Sequence, residues 1–291
     1  MGNIVDTILY QPPTPTKLKE SKIIWIKTEN NTRIPAFFIE YEDDDDDDGD
    51  DEPAHPSSSC PVTILYSHAN AEDLGYIYPW CKFLSQRLGV NILAYDYTGY
   101  GLAFDQGAPN EAQCYADIEA AYSYLRKQRR IPARNIVLYG RSLGTGPSTY
   151  LAAQTSGSEH ETVGGLILHA PFLSIYRVVL PDAGCTMLGD PFPNVDLFGD
   201  VETPTLLIHG LKDAIVPFDH SVTLYDTLQP QYRAQPFYAE MGHNTVPSHV
   251  RDQFTDHLAR YLDTHVRGDP SSMIGSLNGR QPANTNKLIH I

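Results

Sequence analysis

Apolar positions along the chain follow two alternating periods. Short apolar or β-branched runs at Ile23–Lys27, Ile34–Tyr41, Val62–Ser67, Asn91–Tyr97, Ile136–Tyr139, Gly165–His169, Thr205–His209 and Phe237–Glu240 predict strands. Between them the spacing turns helical. Ile77, Cys81, Leu84 and Leu88 share one face, with Gly89 as the stop, and Ile118, Ala121, Tyr122 and Leu125 share another. Further helices are predicted to about Thr155, over Asp219–Leu228, and through Val250, Phe254, Leu258 and Leu262. Asn30-Asn31 reads as a hairpin turn between the first two strands. Strands that alternate with helices imply an α/β architecture, a mostly parallel central sheet with helices on both faces. The pattern predicts one domain over residues 21–265, with an N-terminal segment over 1–20 and a polar tail over 266–291. Phe172–Asp200 is irregular and rich in Pro, Gly and aromatic residues, and reads as a short cap segment.

Charge changes this picture in one place. The net charge is −15, but Glu42, Asp43 to Asp48, Asp50, Asp51 and Glu52 supply ten of the negative charges, and without them −5 remains. Like charges repel and bury nothing, so residues 42–59 read as an acidic disordered loop. Nucleic acid as a partner is disfavoured, because no basic face is available to neutralise phosphates. The four cysteines are scattered without C-x-x-C spacing, which favours a reduced, cytoplasmic setting over a disulfide framework. Gly2 after Met1 meets part of an acylation signal, but Asp6 stands where Ser or Thr is required. An ordinary start is favoured, and peripheral membrane contact is the alternative. Composition leaves the oligomeric state open.

Candidate chemistry centres on Gly140-Arg141-Ser142-Leu143-Gly144, a G-x-S-x-G turn directly after a predicted strand and before a predicted helix. Such an elbow lifts a serine above a sheet edge, and its glycines let neighbouring backbone pass close by. A serine nucleophile needs a base, and the base needs an orienting acid. On this type of elbow the partners follow in the order Ser, Asp or Glu, His. Asp213 and His243 occupy those places, each just beyond a predicted strand. Asp182, Asp190 and Asp219 are weaker alternatives for the acid. Backbone N–H groups for an oxyanion are expected at Leu143 and, in the loop after strand 62–67, at Asn70 in preference to Ala69.

No cofactor and no metal are expected. His68, His169 and His209 all end strands, but their spacing matches no metal motif. The glycines around Ser142 lack the lysine that a phosphate loop uses. Phe172, Leu173, Phe192 and Phe198, near an open site, are expected to offer an apolar surface to an acyl chain.

The segments Tyr66–Gly75, Tyr95–Gly101, Tyr115–Ala121, Leu138–Pro147, Phe192–Asn194 and Gly242–Asn244 together resemble the alpha/beta hydrolase domain-containing protein 17 group, within the wider Bem46-like set of α/β-hydrolases. The resemblance runs from about Ile23 to Leu262. It implies an α/β-hydrolase fold and a serine hydrolase that acts on thioesters, removing palmitoyl groups from cysteines of membrane-attached proteins. It also implies the same three residues, Ser142, Asp213 and His243, as the catalytic set. The expected substrate is thus an S-acylated protein or a small acyl ester. Two departures stand out: no cysteine precedes Cys60, where members of the group carry an N-terminal cysteine cluster, and the acidic run is an addition. Peptide hydrolysis, and a catalytically idle binding scaffold, are the rival readings.

Overall fold

Eight strands form one sheet in the order β1-β2-β4-β3-β5-β6-β7-β8. They are β1 (Ile24–Lys27), β2 (Arg33–Ile39), β3 (Thr63–Ser67), β4 (Asn91–Tyr95), β5 (Ile136–Arg141), β6 (Gly165–His169), β7 (Thr205–Gly210) and β8 (Phe237–Ala239). The computed structural model describes residues 9–42, 62–158, 160–180 and 187–268. The acidic run from Asp43 onward and the polar tail beyond 268 lie outside the described residues. From β4 to β8 every pairing is parallel, whereas β1–β2 and β2–β4 are antiparallel. The hairpin between β1 and β2 turns through Asn31, whose φ of 61° is a left-handed value that Asn tolerates better than most residues.

Helices cover both faces: α1 (Leu74–Leu88), α2 (Glu111–Ser123), α3 (Thr145–Thr155), α4 (Ile175–Val179), α5 (Asn194–Leu197), α6 (Phe218–Thr227) and α7 (Ser248–Leu262). The inner strands are buried on both faces, so their apolar runs are continuous. Alternation along each strand splits the core into two layers. Ile64, Tyr66, Val137, Tyr139 and Ile167 face α1 and α7. Leu65, Ile136, Leu138, Leu166 and Leu168 face α2, α3 and α6. The start of α1 is set by Asp73, which accepts from the Tyr76 amide at 3.0 Å, and its end by Gly89 at φ 61°.

Several boundaries differ from the sequence pattern, and β2 ends at Ile39 rather than Tyr41. β4 stops at Tyr95, because Asp96 turns to accept from the Leu74 amide (2.9 Å) and the Thr98 amide donates to Asp117 (2.7 Å). β5 continues past Tyr139 to Arg141, since Gly140 and Arg141 still pair with Leu168 and His169. The packed body is also longer at both ends. Tyr10 is buried edge-on to Phe192, and Thr16 hydrogen-bonds Asp73. At the far end Val266 joins the α1–α7 layer, and Arg267 donates to the Leu88 and Gly89 carbonyls. No helix among the described residues is long and apolar enough to cross a membrane.

Candidate active site

The carboxyl ends of β5, β7 and β8 lie on one edge of the sheet, with β6 between the first two, and each is followed by one of the three expected residues. Ser142 follows β5 at φ 49°, a left-handed conformation that a serine adopts only when its surroundings impose it. Those surroundings are backbone. A Cβ on Gly144 would overlap the Ser67 carbonyl, and one on Gly140 would overlap the Gly144 carbonyl. Glycine at both positions lets β5, the turn and the end of β3 close around Ser142. The turn passes through a single 3-10 turn, Ser142–Gly144, into α3, and Thr145 Oγ1 ties it down by donating to the Ser142 carbonyl at 2.7 Å.

The structure brings the three side chains into one hydrogen-bonded chain. Ser142 Oγ lies 2.8 Å from His243 Nε2, and His243 Nδ1 lies 2.8 Å from Asp213 Oδ2. They are separated by 101 and 30 residues in sequence, so only the sheet order juxtaposes them. Asp213 closes its own loop, with Oδ1 accepting from the Ile215 and Val216 amides at 2.9 Å each. Its side chain is fully buried, and burial alone would raise its pKa. Contacts with His209 and His243 and the two amides outweigh that effect, and hold the carboxyl well below the usual carboxylate range. It is therefore a fixed anion facing the imidazole.

Three further residues in this assembly are given no role by the motifs. His209 at the end of β7 lies with Nδ1 2.6 Å from Ser221 Oγ and Nε2 3.0 Å from the Val216 carbonyl, and it flanks Asp213 Oδ2 at 3.4 Å. Arg141 and Glu72 form a largely buried ion pair. Arg141 Nη2 also donates to the His243 carbonyl at 3.0 Å, while Glu72 Oε2 accepts from the Ala69 amide at 2.9 Å. One ion pair thus links the loop after β3 to the loop carrying His243. The available signal was an arginine at the end of an otherwise apolar strand, a position that demands a counterion.

The oxyanion donors can be placed as far as the backbone allows. Leu143 lies in the first turn of the helix, where N–H groups have no partner within the helix. The Ala69 amide is occupied by Glu72, while the Asn70 amide has no hydrogen-bond partner among the described residues. The Asn70 side chain is committed elsewhere. It donates to the Leu9 carbonyl (2.6 Å) and accepts from the Gln11 amide (3.1 Å) and Tyr100 hydroxyl (2.6 Å).

Among the described residues, other candidates make no hydrogen bond to these three. Asp190 accepts from the Tyr176 amide at 2.8 Å, Asp219 is exposed in the first turn of α6, and Asp182 lies outside the described residues. His68 contacts the Ala69 carbonyl at 2.8 Å and His169 the Tyr139 hydroxyl at 3.2 Å. Among the described residues no group of three His, Cys, Asp or Glu is arranged to hold a metal ion. One expectation is corrected. Phe172, Leu173, Phe192 and Phe198 offer no surface to an acyl chain: all four are buried, the three rings at most 2% exposed, and Phe192 packs on Tyr10, Tyr115 and Phe172 behind α3. The aromatic side chains of the cap sequence join Leu173, Val195 and Val201 in the core layer that covers α3.

Comparison with known proteins agrees with this architecture. The model of the prolyl oligopeptidase family (Peptidase_S9) matches residues 189–268, a span with Asp213 and His243 but without Ser142. Alpha/beta hydrolase domain-containing protein 17B of Homo sapiens is 37% identical over 211 residues, 72% of this chain and 69% of that protein. The chain belongs to the alpha/beta hydrolase domain-containing protein 17 family. Protein 17C of Xenopus tropicalis is 37% identical over 201 residues, covering 69% of this chain and 61% of its own length. Among solved structures, an esterase of Pyrococcus furiosus superposes with a TM-score of 0.66 at 14% identity, covering 88% of this chain and 99% of that one. At that identity the likeness establishes the α/β-hydrolase fold alone.

Proposed function

We propose that this protein is a serine hydrolase of acyl thioesters and esters, and that its reaction is the removal of palmitoyl groups from protein cysteines. The observation that supports this reading most directly is the continuous chain Ser142 Oγ–His243 Nε2, His243 Nδ1–Asp213 Oδ2, with 2.8 Å at each step. In the proposed reaction His243 takes the Ser142 proton as the oxygen attacks the acyl carbonyl. The Leu143 and Asn70 amides receive the developing oxyanion. His243 then protonates the departing thiol or alcohol, leaving Ser142 acylated. A water molecule, deprotonated by the same imidazole, cleaves that ester and restores the serine. Asp213 stays ionised throughout, fixing the imidazole tautomer. The acyl-thioester part of the reading rests on membership of the alpha/beta hydrolase domain-containing protein 17 family.

A fluorophosphonate probe tests the chemistry: it should label the native protein and leave Ser142→Ala unlabelled. Equal labelling of both, or of neither, overturns the proposal. The match to the prolyl oligopeptidase family favours peptide hydrolysis as the second reading. Turnover of palmitoyl-cysteine peptides against unacylated peptides separates the two. Cleavage of the peptide bond with the thioester left intact would select the peptidase.

A further inference from the structure

A cavity of about 460 Å³ opens beside the candidate active site, on the α1–α7 face of the sheet. Its walls are the aromatic and aliphatic side chains of Tyr66, Ile77, Trp80, Phe83 and Val246. Two further lining residues connect it to the reacting centre: Arg141 immediately precedes Ser142, and Asn244 immediately follows His243. Charge inside the cavity is already committed. Arg141 is paired with Glu72 and with the His243 carbonyl, and Glu72 holds the Ala69 amide. Arg251, at the cavity wall, lies over the Phe83 ring at 5.7 Å. His169, Asn244 and Thr245 add polar groups at one side, and the remaining wall is apolar. It runs along α1 from Tyr76 to Phe83, eight residues and about 10 Å of helix. The cap-side aromatics are buried in the core, whereas this cavity is open and reaches the centre through Arg141 and Asn244, the chain neighbours of Ser142 and His243.

We infer that this cavity binds an unbranched alkyl chain of the substrate. The inference rests on the proposed hydrolase reading, and it names the class of group that the site selects. The chain has two sources in an acyl thioester or ester, the acyl group or the leaving group, and both present the same chemistry to Trp80, Phe83 and Val246.

Binding can be read without turnover. Only two tryptophans occur in the chain, Trp80 in the cavity and Trp25 on β1. Ser142→Ala protein is titrated with S-alkyl cysteine thioethers of 4 to 14 carbons while tryptophan emission is followed. A saturable change is expected, with affinity rising about fourfold per added methylene until the cavity is full. Trp80→Phe in the same background should abolish the signal, and Val246→Trp, which fills part of the cavity, should weaken the 12-carbon probe at least tenfold. Phe83→Ala provides a second variant should the larger side chain disturb folding, and it should shift the optimum to longer chains. Absence of a saturable change, or a chain-length dependence left unchanged by both Val246→Trp and Phe83→Ala, overturns the inference. In the active protein, one series varies the acyl chain and another the leaving thiol. The series whose chain-length dependence collapses in Val246→Trp identifies the end that enters, and collapse in neither overturns the inference. Failure of fluorophosphonate labelling would sink the hydrolase reading while leaving the thioether titration to stand or fall by itself.

Discussion

The Arg141–Glu72 ion pair can be broken from either side, and the structure sets the size of the effect. The two side chains are 10% and 12% exposed, so neither charge is adequately hydrated without its partner. Arg141→Met strands the Glu72 carboxylate and removes the donor to the His243 carbonyl. Glu72→Gln leaves the guanidinium with that carbonyl as its remaining acceptor among these contacts. Loss of one partner of a buried pair costs about 3–5 kcal/mol, well above the roughly 0–1 kcal/mol of an exposed pair. The double variant Arg141→Met with Glu72→Gln strands no charge, and should lose much less than the two single costs combined. Urea unfolding followed by circular dichroism, completed as a double-mutant cycle, should give a coupling energy of at least about 2 kcal/mol. Activity should part from stability in the double variant. With the loops of Ala69 and His243 unlinked, an ångström-scale shift of the imidazole lowers kcat/KM about 100-fold in a protein that remains folded. A coupling below about 0.5 kcal/mol would show that solvent reaches the pair, and the account of it as a buried brace would be wrong.

Other expectations follow from single residues. Ser142 is held at φ 49°, so Ser142→Gly should be more stable than Ser142→Ala by about 1 kcal/mol, roughly 2–4 °C in Tm, and equally unreactive to a fluorophosphonate; equal Tm values would deny the strain. Asp213→Asn should lower kcat by about 10⁴ if the carboxylate sets the imidazole tautomer as in other serine hydrolases, measured on a palmitoyl-cysteine peptide. Because the folded Asp213 pKa lies below its unfolded value, its contribution to stability is present at neutral pH and is lost as pH falls from about 4 downward. Asp213→Asn should therefore flatten the acid limb of the stability profile, and an unchanged limb would contradict the assignment. Asp117 behaves in the opposite sense. Burial, partly opposed by hydrogen bonds from Thr98 and Gln113, pushes its carboxyl up to about 7. Between about pH 4 and 7 the folded state holds a proton that the unfolded chain has shed, so stability falls with rising pH by about 4 kcal/mol and then levels. Asp117→Asn should remove that slope between pH 5 and 7 in thermal unfolding, and persistence of the slope would exclude Asp117 as its source.

Much of this molecule was legible as a string of residues. Periodicity located the eight strands and five longer helices to within a few residues, because burial on two faces leaves continuous apolar runs and burial on one leaves a helical stripe. The serine, acid and histidine could be proposed from order and context, since each follows a strand and chain order on this elbow is constrained. The sequence also carried the two glycines of the elbow, although it could not say what they avoid. The overlaps are with the carbonyls of Ser67 and Gly144, and the first belongs to a strand 77 residues earlier.

Tertiary structure alone decided the rest, because it depends on which strand ends become neighbours. The Glu72–Arg141 link spans 69 residues, and Arg141 meets the His243 carbonyl across 102. The aromatic cap sequence looked like a binding surface and is core, whereas the open apolar volume lies on α1, whose exposed and buried faces are indistinguishable by hydrophobicity at Trp80 and Phe83. Local sequence dictates what each segment forms and which side chains must leave water. Whether a ring fills space or frames it is settled by the neighbours that folding supplies, and those lie far away in the chain.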